Sequence, residues 1–321
     1  MKPFTSSIAP KLYRFLSHKR SLGFVYGLEE RLLGELDKVA SSTAETRLDE
    51  ALVRRFVTTG CRSTRAHRLS LVRQLARFLA IEEPGTFVPP RRYLGVRRQQ
   101  PVLRVLSREE AGRFLRACEA LTGTTFYPHR ELIHGTALRT LLLTGLRRGE
   151  LLALTIRDVD LEGGVLDIRN GKFGKSRYVP VAVDLGRVLR AYHDELDTRI
   201  PGRSPNDAFF PGPDGRHPCN PGRLYGSFRR ALDIAGIKHG GRGEGPRLHD
   251  MRHTFSVLRL LAWYEQDVDL LAKLPLLATY LGHVGLATTQ VYLHMTRDLV
   301  GEVGRRLESR FGDIITAKVT S

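Results

Sequence analysis

Between residues 84 and 101 this chain cannot continue as helix. Pro84-Gly85, Pro89-Pro90 and Pro101 fall within that stretch. Each proline fixes its own φ, lacks an N–H to donate, and biases the residue before it towards extended backbone. Helical periodicity lies on both sides, so the chain is expected to fold as two bodies. The boundaries read from the sequence are a helical body over 1–83, a basic proline-rich linker over 84–106, and a second body over 107–321. At 321 residues there is enough chain for two separate cores.

The first body reads as a helical bundle. Apolar residues recur at helical spacing over roughly 8–19 (Leu12, Phe15, Leu16), 24–40 (Leu28, Leu32, Leu33, Leu36, Val39) and 48–58 (Leu48, Leu52, Val53, Phe56). A further stripe of Leu69, Val72, Leu75, Ala76 and Leu79 runs through a segment dense in arginine. From Arg54 to Arg104 only Glu82 and Glu83 carry the opposite charge. The whole chain has a formal net charge of +17, the footprint of a protein that meets a polyanion. Arg62, Arg65, Arg68 and Arg73 are therefore expected on a face that contacts phosphates. A membrane surface is the other polyanion to weigh, but no run of 18 apolar residues exists and Met1-Lys2-Pro3-Phe4 has no signal-peptide core. No membrane partner is expected, and the location expected is cytoplasmic, with the nucleoid.

The second body opens with a capping box, Ser107-Arg108-Glu109-Glu110. Helices are expected near 107–121, 130–143, 147–153, 184–199, 221–235, 249–263, 267–281, 285–293 and 298–310. Two strands, Val165-Leu166-Asp167-Ile168 and Arg177-Tyr178-Val179-Pro180-Val181, flank a tight turn at Asn170-Gly171. Gly174-Lys175-Ser176 lacks the leading glycine of a phosphate loop, since Arg169 stands there. The glycine-rich run from His239 to Gly245 reads as a loop. Cys61, Cys118 and Cys219 offer neither a disulfide framework nor zinc spacing, so idle reduced thiols, no metal and no cofactor are expected.

The chemistry lies in an ordered set of polar residues. Thr144-Gly145-Leu146-Arg147-Arg148-Gly149-Glu150 comes first, then His249-Asp250-Met251-Arg252-His253, then Leu281-Gly282-His283 with Tyr292 nine positions beyond that histidine. Attack on a phosphodiester gathers negative charge, which fixed guanidinium groups can hold bidentately. Arg147 and Arg252 suit that task. His249 lies one helical turn before Arg252, His283 is a candidate phosphate donor, and the Tyr292 phenol is the candidate nucleophile, with Tyr280 and Tyr264 as competitors. Lys172, in the hairpin turn, is the candidate general acid, with Lys175 as runner-up. Lys175 and Arg177 are also expected to touch DNA.

This set resembles the catalytic signature of the tyrosine recombinases, the phage integrase family. The resemblance covers residues 107 to about 300 by motif, and the N-terminal region by organisation. It implies a mainly α fold with a small β-sheet (an α+β catalytic domain) behind an all-α DNA-binding bundle. It implies that Arg147, Lys172, His249, Arg252, His283 and Tyr292 match six catalytic positions, with Glu150 orienting the first arginine. The implied reaction cuts and rejoins double-stranded DNA at specific recombination sites, through a 3′-phosphotyrosyl link and a Holliday junction, without metal or ATP. Implied partners are three further copies of the chain, giving a tetramer on two sites, and accessory or sister recombinases. The tail from Leu299 to Ser321 would dock on its own catalytic domain or on a neighbour's. The Arg252–His283 spacing is longer than the family's usual one and resembles recombinases carried by transposons and integrating elements. Two alternatives remain at this point: a type IB topoisomerase using similar residues, and a regulator that binds DNA without cutting it.

Overall fold

The computed structural model describes residues 3–43, 45–95, 103–123, 125, 127, 129–169, 176–241, 245–283 and 292. The chain divides into two compact units, Met1–Pro101 and Val102–Ser321.

The described residues of the first unit form four α-helices, α1 (Ala9–Ser21), α2 (Gly27–Thr43), α3 (Glu50–Thr58) and α4 (Arg62–Leu79). Their apolar stripes meet in one core that includes Leu12, Phe15, Leu33, Leu36, Leu52, Phe56, Val72 and Leu75. Local signals set the ends. Asp49 caps α3 by accepting from the Leu52 N–H at 2.8 Å. Asp37, buried in α2, accepts from the Thr5 and Ser6 amides and holds the leading segment against the bundle.

Part of the stretch expected as linker packs on the first core. Phe87 donates its N–H to the Leu48 carbonyl, and Tyr93 is buried in the first core with its hydroxyl on Glu50. Arg73 reaches across to the carbonyls of Pro89 and Pro90. No α-helix forms over Pro84 to Pro90, the Pro90 carbonyl accepts from the Tyr93 N–H as well as from Arg73, and the segment packs on the first unit.

The second unit is mainly helical with a small sheet. Its helices are α5 (Arg108–Glu119), α6 (Arg130–Thr144), α7 (Arg148–Ala153), α8 (Val183–Arg199), α9 (Pro221–Ile234), α10 (Asp250–Glu265) and α11 (Leu270–Leu281). Both halves of the capping box at Ser107 form. Helix α6 is the central element, buried on nearly every face. Two of its threonines bond within the helix, Thr140 and Thr144 donating to carbonyls one turn back, and His134 Nδ1 lies 2.7 Å from Ser227 Oγ on α9. The strands β1 (Val159–Asp160), β2 (Val165–Ile168) and β3 (Arg177–Pro180) pair antiparallel in the order β1-β2-β3, with Ile168 opposite Arg177. At two residues, β1 is too short to leave an alternating pattern, and only β2 and β3 were expected. The turn expected to bear Lys172 and Lys175, and the helices expected over 285–293 and 298–310, lie outside the described residues, apart from Tyr292.

The long Arg252–His283 interval is taken up by helix. α10 runs on to Glu265, and Asp269 caps α11 by accepting from the Leu271 and Ala272 amides. Leu274, Leu277 and Leu281 then pack on Phe255, Val257, Leu260 and Leu261 of α10. Among the described residues, no helix is long and apolar enough to cross a membrane.

Candidate active site

The site forms where the end of α6, the start of α10 and the end of α11 meet. Close approach requires glycine at Gly145, the left-handed cap of α6 with φ +64°. A Cβ there would stand 2.6 Å from the Phe255 ring of α10. Gly282, at φ +67°, ends α11 in the same way and turns the chain into His283.

Two arginines fasten onto this junction. Arg252 is 2% exposed and donates to the Gly145 carbonyl at 2.9 Å and the Leu281 carbonyl at 2.6 Å. Arg147, the N-cap residue of α7, donates to the Gly282 carbonyl at 3.0 Å. The two guanidinium groups thus hold consecutive carbonyls, those of Leu281 and Gly282, immediately before His283. Burial and the nearby Arg147 charge lower the Arg252 pKa to about 10, so it stays cationic at neutral pH.

Glu150 balances this charge. Its side chain is 5% exposed. It accepts from the Arg147 amide at 3.0 Å and the Arg147 guanidinium at 2.6 Å. Arg177 of β3 adds a two-pronged contact at 3.1 and 3.0 Å. Burial alone would raise the Glu150 pKa, but the hydrogen bonds from Arg177 and the Arg147 amide outweigh it and hold it at about 2. Folded pKa below unfolded means stability that is present above about pH 4.5 and lost as pH falls towards 2. Glu150→Gln is expected to remove on the order of 3 kcal/mol of that stability. Melting curves between pH 7 and 2 check this: the gap between wild type and variant should close as the pH drops, and a constant gap would refute it.

Arg177, expected to touch DNA, makes its described contacts within the protein. Its side chain is 11% exposed, and besides gripping Glu150 it donates through Nε to the Tyr280 carbonyl at 2.8 Å. It ties the hairpin strand to α7 and to the end of α11. In the first unit, Arg68 is likewise committed. It donates to the Phe56 and Thr59 carbonyls, pairs with Glu35 at 2.6 Å, and lies over the Phe56 ring. Arg73 binds the proline carbonyls described above. Arg62 is exposed and Arg65 half-buried on the same helix.

Tyr292 comes to the site. It is 3% exposed among Phe255, Leu281 and their neighbours. The His283 ring lies 6.1 Å from the Tyr292 ring. Burial first, then the Arg252 and Arg147 charges, bring the His283 pKa down to about 4, so it is neutral near pH 7. Sequence reasoning overlooked one residue here. His253 Nδ1 stands 3.1 Å from the Tyr292 hydroxyl, while His249, the histidine singled out, meets the His253 ring edge-to-face at 4.9 Å. The signal was present, since positions 249 and 253 are one turn apart on one helical face. The competitor Tyr280 stacks on Phe255 with its hydroxyl near the Pro180 carbonyl, away from His253.

Residues 104–298 match the model of the phage integrase family. The chain belongs to the tyrosine recombinases of that family. Over 312 residues it is 32% identical to the integrase/recombinase y4rB of Sinorhizobium fredii, covering 96% of this chain and 99% of that one. It is 29% identical over 242 residues to the tyrosine recombinase XerD of Caulobacter vibrioides, 75% of this chain and 73% of the relative. Among solved structures, the XerH site-specific recombinase bound to its palindromic difH substrate shares the fold. The TM-score is 0.60 at 22% identity, over 88% of this chain and 77% of that one. Family membership makes this tyrosine recombinase an enzyme of the site-specific recombinase type, and gives the arginine–histidine–tyrosine cluster its context.

Proposed function

We infer that this recombinase cuts and rejoins double-stranded DNA through a covalent bond between Tyr292 and a 3′-phosphate. The observation that carries this reading is the fastening of Arg147 and Arg252 to consecutive carbonyls at the turn into His283, with Tyr292 packed beside it. Two guanidinium groups held together in a largely buried junction can stabilise a phosphorane-like transition state with little reorganisation. The Tyr292 oxygen attacks the scissile phosphorus, the bond to O5′ breaks, and His283 donates a hydrogen bond to the phosphate. Lys172 protonates the departing O5′. Attack by a 5′-hydroxyl from a partner strand reverses the chemistry and joins a new pair of strands. The phosphotyrosyl link conserves the bond energy, so the reaction needs neither ATP nor a metal ion.

DNA as substrate is supported by the net charge of +17 and by DNA-bound relatives of this fold. Exposed Arg62 and half-buried Arg65 are the α4 side chains that best serve as phosphate contacts, together with Lys175. Four copies on two sites, passing through a Holliday junction, complete the exchange, with accessory or sister recombinases as further partners.

Covalent capture in cells tests the reading. Protein from cells carrying the gene in its genomic setting is denatured, and the DNA that remains attached is sequenced. One short repeated sequence at the junctions is the expected result, and EDTA added to a lysate should leave the adduct yield unchanged. Adducts scattered over all DNA would favour a type IB topoisomerase. No adduct would favour a regulator that only binds.

A further inference from the structure

The histidine that meets Tyr292 is neither of the two in the Arg-His-Arg-His-Tyr set. We propose that His253 is a catalytic residue that takes the Tyr292 hydroxyl proton as the phenol attacks phosphorus. This rests on the reading of Tyr292 as the nucleophile.

The geometry is that of a base and its substrate. His253 Nδ1 is 3.1 Å from the Tyr292 oxygen, within proton-transfer reach before any DNA is present. The other histidines stand differently: His249 packs edge-to-face on the His253 ring at 4.9 Å, and the His283 ring lies 6.1 Å from the phenol ring, farther than the 5.5 Å of His253. The hydroxyl is enclosed, since Tyr292 is only 3% exposed, which limits water as a competing acceptor.

The electrostatics agree. Burial first, then the neighbouring His249, lowers the His253 pKa to about 4. The ring is therefore neutral at physiological pH, and the tautomer with Nε2–H leaves the Nδ1 lone pair facing the phenol. The charged and titratable groups around it are His249, Asp250, Arg247 and Arg252, with His283 across the site. A scissile phosphate drawn in by the arginines adds negative charge beside this ring and strengthens it as a base when a proton must move.

The step balances. The phenol proton passes to Nδ1, and the oxygen pair it leaves forms the O–P bond. The P–O5′ bond breaks with its electron pair on O5′, which is protonated by the general acid. His253 ends as imidazolium and the phosphotyrosyl diester keeps one negative charge. In the rejoining half, imidazolium returns its proton to the departing phenolate.

The test uses the full chain and a nicked DNA substrate carrying the site recovered by covalent capture, with single-turnover adduct formation as the readout. His253→Ala is expected to slow adduct formation by about 10² to 10⁴-fold. Binding of the same DNA, read by gel shift, should be unchanged. Added imidazole should restore the rate, and substituted imidazoles should do so in order of their basicity. His253→Gln, which keeps a hydrogen-bonding group at similar reach but no useful base, should remain slow and covers the case in which the alanine variant fails to fold. A rate within threefold of wild type in either variant overturns the proposal. So does a slow His253→Ala that no imidazole rescues, because that pattern means His253 only props the tyrosine. Failure of the underlying reading looks different: wild type would form no adduct, or Tyr292→Phe would form one.

Discussion

Tyr292→Phe yields a folded protein that binds DNA and forms no covalent adduct. The substitution removes one oxygen from a side chain that is otherwise packed against Phe255 and Leu281. What the fold loses is the hydrogen bond to His253, about 1 kcal/mol. What the chemistry loses is the nucleophile, and strand cleavage should fall by about 10⁴-fold or more. A denaturing gel with labelled DNA reads the adduct directly, and a melting curve reads the fold. Adduct formed by the phenylalanine variant would remove Tyr292 from the reaction.

Arg252→Ala damages both the fold and the chemistry. The side chain is nearly inaccessible and supplies donors to the Gly145 and Leu281 carbonyls, 107 and 29 residues away. Truncation leaves both carbonyls buried without that partner, at about 1–3 kcal/mol each. The same truncation deletes one cation from the transition state, worth about 10² to 10³-fold in cleavage for a single donor. Arg252→Lys separates the two effects. A lysine keeps the charge but cannot span two carbonyls with a rigid fork, so much of the melting loss should persist. If Arg252→Ala melts within 1 °C of wild type, the two carbonyl contacts contribute nothing to stability.

Features written in neighbouring residues were legible in the sequence. The apolar stripes of α1 to α4 and the capping box at Ser107 each predict local backbone and appear where expected. The catalytic candidates Arg147, Arg252, His283 and Tyr292 were legible because their order and spacing repeat a known signature, and the fold brings these four to one junction. What escaped depends on distant partners. Nothing near Arg177 reveals that Glu150 and the Tyr280 carbonyl will claim its guanidinium. Arg68 likewise reads as one arginine in a basic stripe until Glu35 and the α3 carbonyls surround it. Charge density along a helix counts cations but does not say which remain free. His253 was passed over because the motif names the histidine three residues before the arginine, while contact with Tyr292 depends on where a segment 39 residues later returns.

The turn from Leu281 to His283 holds more than one active-site part. Arg252 is anchored to its first carbonyl, Arg147 to its second, and His283 is its third residue, while Arg177 grips the carbonyl just before it. These groups share one rigid mount, so the site has fewer independent settings than it has residues. Any influence that shifts the end of α11, whether a substitution at Gly282 or pressure from a neighbouring molecule, misaligns both cations and the histidine in the same movement. Graded loss of single functions is not the expected behaviour of such an assembly; it switches as a unit.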